Sequence, residues 1–157
     1  MTAAELPQLV AHYRAGLEAE MTLLNRLQVL ATQQRELSEQ GDLEALSLVS
    51  DQRDRVTAGL VQIEHELKPV RNTLLQHRRA LEQIREFQGV AALHHSAATL
   101  VERIVVEDRA SLDALKHAEQ ARRFAAQSLE QGESTLAAYR RVVSPALPGA
   151  SLVNRKG

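Results

Sequence analysis

The chain has 157 residues, of which 20 are acidic and 19 are basic, giving a net charge of −1. It contains 24 Leu and 23 Ala but only two Tyr, two Phe, no Trp and no Cys. So few aromatic residues disfavour a β-sandwich or an α/β enzyme core. The lack of cysteine excludes a disulfide scaffold and any Cys-ligated metal site. The near-neutral charge gives no reason to expect nucleic acid or an acidic membrane surface as a partner.

Nothing in the sequence directs the chain into or across a membrane. There is no run of about 18 apolar residues of the kind that spans a bilayer. The first seven residues have neither the basic start nor the apolar core of a signal peptide. We therefore expect a cytoplasmic protein with no membrane insertion.

A first helix is predicted over residues 3–40. The scarcity of Gly and Pro between residues 8 and 143 is typical of long helices. Apolar residues recur every three or four positions, as in a coiled coil; they are Leu6, Val10, Tyr13, Leu17, Leu24 and Leu27. Gly41 is a natural helix C-terminal residue, and Asp42 is a good N-cap. Together they predict a tight reversal into an antiparallel second helix.

The second helix, predicted over residues 42–88, has the most regular apolar pattern. Ten of the 13 positions in its +3/+4 seam are apolar: Leu46, Val49, Val56, Leu60, Ile63, Leu67, Val70, Leu74, Leu81 and Ile84. Pro69 is expected to kink this helix near Glu66 without ending it, because the seam continues beyond it. A helix with such a seam must pack against other helices.

A third helix is predicted over residues 91–143, with a less regular stripe that Glu107 and Asp108 interrupt. Gly132 marks a potential break, after which Ser134 would cap a short final helix. Residues 144–157 contain two Pro and no acidic residue, and they predict a flexible tail. The expected fold is all-α: an elongated antiparallel three-helix coiled-coil bundle over residues 1–143, with a short C-terminal helix and a tail.

The sequence offers no constellation for catalysis or for holding a cofactor. None of the six His is spaced three or four residues from another, as a helical metal site requires. Nucleophile-elbow and phosphate-binding glycine motifs are both missing. The Arg pairs at 78–79, 122–123 and 140–141 lie near acidic residues without interleaved aromatics. We therefore predict no enzyme activity, no cofactor, no metal and no nucleic-acid binding.

The C-terminal quarter holds the candidate partner-binding residues. They are Leu129, Leu136, Tyr139, Val142 and Val143, with Leu147 continuing the apolar content into the tail. One interpretation is a frayed helix end followed by an inert tail. The other is a helical segment that becomes ordered on a partner.

Several segments resemble the FlgN-like flagellar export chaperones. The similarity covers roughly residues 10–90 and is carried by the reversal between the first two helices. Its residues are Gln33, Gln34, Leu37, the run Gly-Asp-Leu-Glu-Ala-Leu at 41–46, Val49, the charged run at 51–55, and the heptads Val56, Leu60, Ile63 and Leu67.

This resemblance implies a cytoplasmic chaperone of flagellar type III secretion. Such proteins bind hook–filament junction (hook-associated) subunits before export and deliver them to the export gate. Their contact region is the last helix and tail, which here is the set from Leu129 to Leu147 named above. The alternative is a structural or scaffolding coiled coil without a secretion client, and the sequence leaves open whether the chain is a monomer or a homodimer.

Overall fold

The computed structural model describes residues 5–143, and side-chain exposure for residues 5–141. This part of the chain is all-α, with three long helices and one short one. The helices are α1 (Glu5–Gln40), α2 (Leu43–Gln76), α3 (Arg78–Leu81) and α4 (Gln88–Val143), with a 3-10 turn at Arg85–Phe87.

The reversal between α1 and α2 is formed as the sequence predicts. Gly41 has φ +73°, a left-handed conformation that glycine adopts without steric cost. Asp42 caps α2, since its Oδ1 accepts a hydrogen bond from the Ala45 backbone N–H at 3.1 Å. Two residues thus separate the ends of the two helices.

The prediction that the second helix extends to residue 88 is wrong. The helix does continue through Pro69, but α2 ends at Gln76, where the His77 N–H bonds the Leu74 carbonyl at 3.0 Å. The apolar residues that prolonged the pattern, Leu81 and Ile84, lie in the connection to α4 and pack on one core cluster. The connection must bury apolar side chains to close the core, which is why its periodicity resembles a helix stripe.

Helix α4 differs from prediction in its start and in its continuity. It begins at Gln88 rather than near residue 91, so that Gly89 lies in its first turn. It also continues past Gly132, where a break and a short final helix were expected. The predicted tail, residues 144–157, lies outside the described residues.

By its contacts, the chain divides into a first unit that ends at Leu115 and a second unit that begins at Lys116. Within the first unit, α2 runs antiparallel to α1, since Tyr13 contacts Arg71 whereas Gln34 contacts Arg53. Helix α4 runs parallel to α1, with His94 on Tyr13 and Glu107 on Arg35. The predicted all-α fold of three long, packed, antiparallel helices is therefore confirmed.

The core of the first unit consists of two clusters along the three helices. One contains Leu6, Val10, Tyr13, Leu17, Leu67, Leu74, Leu81 and Val90, and the other contains Leu24, Leu27, Leu30, Ala31, Val56, Leu100 and Ile104. Gly16 permits a close approach of α1 to α2, because a Cβ atom there would lie 2.4 Å from a Leu67 methyl carbon.

Replacing Leu67 by Ala should destabilise the fold by about 2–5 kcal/mol, because this side chain is 2% exposed and its removal leaves a cavity. Leu75→Ala is the matched control on the same helix. Leu75 is 59% exposed, so its loss should change the free energy of unfolding by less than about 0.5 kcal/mol. Urea denaturation followed by circular dichroism measures both, and equal effects would contradict this core assignment.

Candidate partner-binding face and the polar cluster

The apolar residues predicted to bind a partner lie on α4 within the second unit. Leu129, Leu136 and Tyr139 are 72%, 64% and 66% exposed, respectively. Val142 and Val143 fall in the last turn of α4, and their side chains are not among those described. Leu147 lies outside the described residues.

Leu129, Leu136 and Tyr139 belong to a longer line along α4, here called the C-terminal strip. Its members follow alternating steps of four and three residues, so they lie on one side of the helix. They are Ala118, Arg122, Ala125, Leu129, Gly132, Leu136 and Tyr139. In the first unit, α4 residues with this kind of spacing, such as Leu100 and Ile104, are buried against other helices.

In contrast, every described side chain from Gln120 to Arg141 is exposed. Phe124, which is not one of the candidate residues, is 77% exposed but does not belong to the strip. Large apolar side chains at heptad spacing on an exposed helix are typical of a surface that binds another helix.

Charged residues lie within and beside the C-terminal strip. Glu119 forms ion pairs with Arg122 and Arg123 one turn further along the helix. These contacts, chiefly the hydrogen bond from Arg122, hold the pKa of Glu119 below its ordinary value. Glu119 is therefore ionised at neutral pH.

A second feature of the molecule, here called the polar cluster, lies inside the first unit. Arg71 on α2 donates Nε–H to the Tyr13 hydroxyl on α1 at 3.0 Å, and the same hydroxyl lies 3.0 Å from His94 Nε2 on α4. Two further Arg71 nitrogens donate to the Glu64 carboxylate at 2.5 and 2.9 Å. The cluster therefore connects all three long helices.

The protonation of the polar cluster follows from its burial and its charges. Burial, followed by the Arg71 charge, lowers the pKa of His94, so the ring is neutral at neutral pH. Because the Tyr13 oxygen already accepts from Arg71, its own proton is free to be donated to the neutral His94 Nε2. The sequence pattern places Tyr13 on an apolar stripe and does not indicate this role; a phenol at a core position was the available signal.

Glu20 lies beside this cluster, and its pKa is raised well above the ordinary value of a glutamate. Burial, then hydrogen bonding with Glu64 and its negative charge, raises the pKa of Glu20 to about 7, against a smaller opposing effect of Arg71. In contrast, the Arg71 hydrogen bond lowers the pKa of Glu64. Glu64 therefore carries the charge, and Glu20 holds a proton up to near neutral pH.

A cleft of about 320 Å³ lies elsewhere in the first unit, beside the paired side chains of Arg53 and Asp108. The buried Ser111 hydroxyl lines it without a hydrogen-bond partner among the described residues. Its other polar groups bond one another, since Gln34 accepts from Arg53 and donates to Ser50. A water molecule would suffice to satisfy Ser111.

Two further properties concern the whole described chain, residues 5–143. No three His, Asp or Glu side chains in it are grouped so that they could hold a metal ion. None of its helices has a stretch long and apolar enough to cross a bilayer.

No family model, curated protein or solved structure matches the chain.

Tyr13→Phe should destabilise the protein by about 1–2 kcal/mol, because it removes the hydroxyl that satisfies Arg71 Nε and His94 Nε2. Tyr139→Phe is the control, since that hydroxyl belongs to a residue that is 66% exposed. Thermal unfolding compares the two, and an unchanged stability of the Tyr13 variant would show that the hydroxyl contributes no net stability.

Glu20→Gln should make the protein more stable at about pH 8 and leave it unchanged near pH 4.5. With a folded-state pKa near 7 against an ordinary 4.5, the wild-type carboxyl contributes stability that is present below pH 4.5. This contribution is lost as the pH rises through 7, whereas a neutral amide has no proton to lose. Allowing for solvent screening, we expect the free energy of unfolding of the variant to exceed that of the wild-type protein by about 1 kcal/mol at pH 8, which corresponds to about 2–4 °C in Tm.

Calorimetry across pH measures this difference, with Glu18→Gln on the exposed face of α1 as control. His94 has a lowered pKa, so its contribution is lost instead as the pH falls through the histidine range. Because both variants retain His94, that effect cancels from the comparison. A stability difference that does not change between pH 4.5 and 8 would contradict the raised pKa of Glu20.

Proposed function

We propose that this protein binds an amphipathic helical segment of another polypeptide on the C-terminal strip. The observation that supports this most strongly is the exposure of Leu129, Leu136 and Tyr139 at helical spacing on α4. Helices with regular apolar stripes pair by inserting side chains between those of the partner. Covering such a stripe removes the driving force for unwanted self-association of the bound segment.

The client we propose is a hook–filament junction (hook-associated) subunit of the flagellum, held before type III export. This finer proposal is based on the resemblance of the helical reversal around Gly41 and Asp42 to FlgN-like chaperones. The formation of that reversal and the exposed apolar face on the last long helix are consistent with such a role. The chain would act in the cytoplasm and pass its client to the export gate.

The binding experiment uses Leu136→Asp and purified hook-associated proteins. Loss of one buried leucine contact is worth about 1.5–3 kcal/mol, so affinity should fall by about 10–100-fold. Ala138→Asp is the matched control, because position 138 lies on the opposite side of the same helix. Isothermal titration calorimetry measures both affinities.

Equal binding by the wild-type protein and the Leu136 variant would reject the C-terminal strip as the site. No binding of hook-associated proteins by the wild-type chain would reject the proposed client. Since residue 136 is 64% exposed and lies outside both core clusters, the variant should keep the unfolding transition of the first unit, which shows that any loss of binding is not a loss of folding.

A further inference from the structure

Small and large residues alternate along the C-terminal strip. Ala118, Ala125 and Gly132 are small, whereas Arg122 and Leu129 between them, and Leu136 and Tyr139 after them, are large. In an antiparallel pair each of the two alternating positions faces the other, so the strip is complementary in side-chain size to a reversed copy of itself.

We propose that a second copy of this chain binds the C-terminal strip in the antiparallel direction, centred between residues 130 and 131. In that register, Leu129 faces Gly132 of the partner, and Leu136 faces the partner's Ala125. Antiparallel coiled coils pack large residues against small ones in this way to fill each layer. The same register places Arg122 against the face of the partner's Tyr139, a favourable cation–π pair.

Charge complementarity fixes the same register independently. Positions 119 and 140 flank the strip on one side. In the antiparallel pair Glu119, which also pairs with Arg122 and Arg123 of its own helix, lies opposite the partner's Arg140, twice by symmetry. Arg140 forms no ion pair with any other residue among 5–143 and is exposed. A parallel pair in register would not bring Glu119 and Arg140 together, and it would leave Gly132 facing Gly132 across a void.

Gly132 supports a close helix partner. A glycine inside a helix costs about 1 kcal/mol relative to alanine. A Cβ atom at this position would meet no atom of the described residues within 4 Å, so no contact among those residues requires glycine. Opposite Leu129 of a second copy, the missing side chain makes room for the leucine.

The exposed helix also needs a partner for its stability. A helix with exposed side chains from 120 to 141 gains nothing from tertiary packing.

The pairing does not depend on the proposed client, and a client that bound the strip would compete with it. The tests below therefore use the purified chain alone, so that their failure and the failure of client binding are distinguishable.

Because the natural chain has no cysteine, single cysteines report the register directly. Ala125→Cys and Leu136→Cys are purified separately, then mixed and oxidised. In the proposed register, 125 of one copy faces 136 of the other, so the mixture should form a disulfide-linked dimer. Each variant alone should not, because its two sulfurs are separated by 11 residues, or about 16 Å of helix.

Cross-linking of either variant alone would establish a parallel pair and overturn the proposal. Absence of a cross-link in the mixture as well as in the separate variants would overturn it too, even if the chain sediments as a dimer. Sedimentation equilibrium of the wild-type chain should show a concentration-dependent dimer, and a monomer at the highest soluble concentration would overturn the proposal.

Charge variants test the flanking pair. Arg140→Glu should weaken the dimer about tenfold, because it turns two attractive pairs into two repulsive ones. Arg141→Glu, which removes a neighbouring charge that does not flank the strip, is the matched control and should leave the dissociation constant unchanged. Equal effects of the two Arg variants would overturn the register.

Discussion

A helix with an apolar stripe cannot bury that stripe by itself, and this constraint organises the molecule. In the first unit, α1, α2 and the first part of α4 bury one another's stripes, which accounts for both core clusters. In the second unit, α4 presents Leu129, Leu136 and Tyr139 without a partner from the described chain. The same physics that forms the core therefore leaves a surface that is suited to a further helix.

Polar interactions determine how the three helices align. Apolar seams at heptad spacing fit one another almost as well after a slip of one heptad. Glu107 and Asp108 are adjacent on α4, yet Glu107 pairs with Arg35 of α1 and Asp108 with Arg53 of α2. Together with the Tyr13, Arg71 and His94 contacts, these pairs hold α4 in one axial position and one rotation. They were visible in the sequence only as charges interrupting a stripe.

The sequence predicted what depends on local pattern and missed what depends on tertiary packing. Gly41 and Asp42 have strong conformational preferences, so the reversal could be placed to the residue. The end of α2 at Gln76 could not be placed from the sequence, because Leu81 and Ile84 continue the apolar spacing although they lie in the connection between α2 and α4. At the candidate site, periodicity placed Leu129, Leu136 and Tyr139 on one side of a helix, and the structure leaves all three exposed. The polar cluster was missed because His94 and Tyr13 are 81 residues apart and meet only in the folded chain.

The two-residue link at Gly41 and Asp42 has a consequence for how the protein reaches its folded state. Helices joined so closely make their first contacts, such as Gln34 with Ser50, across a short length of chain. Closing a loop of this size takes roughly 10–100 ns and costs little entropy. The α1–α2 hairpin is therefore suited to act as the folding nucleus, and as the chain leaves the ribosome it can form before α4 has been synthesised.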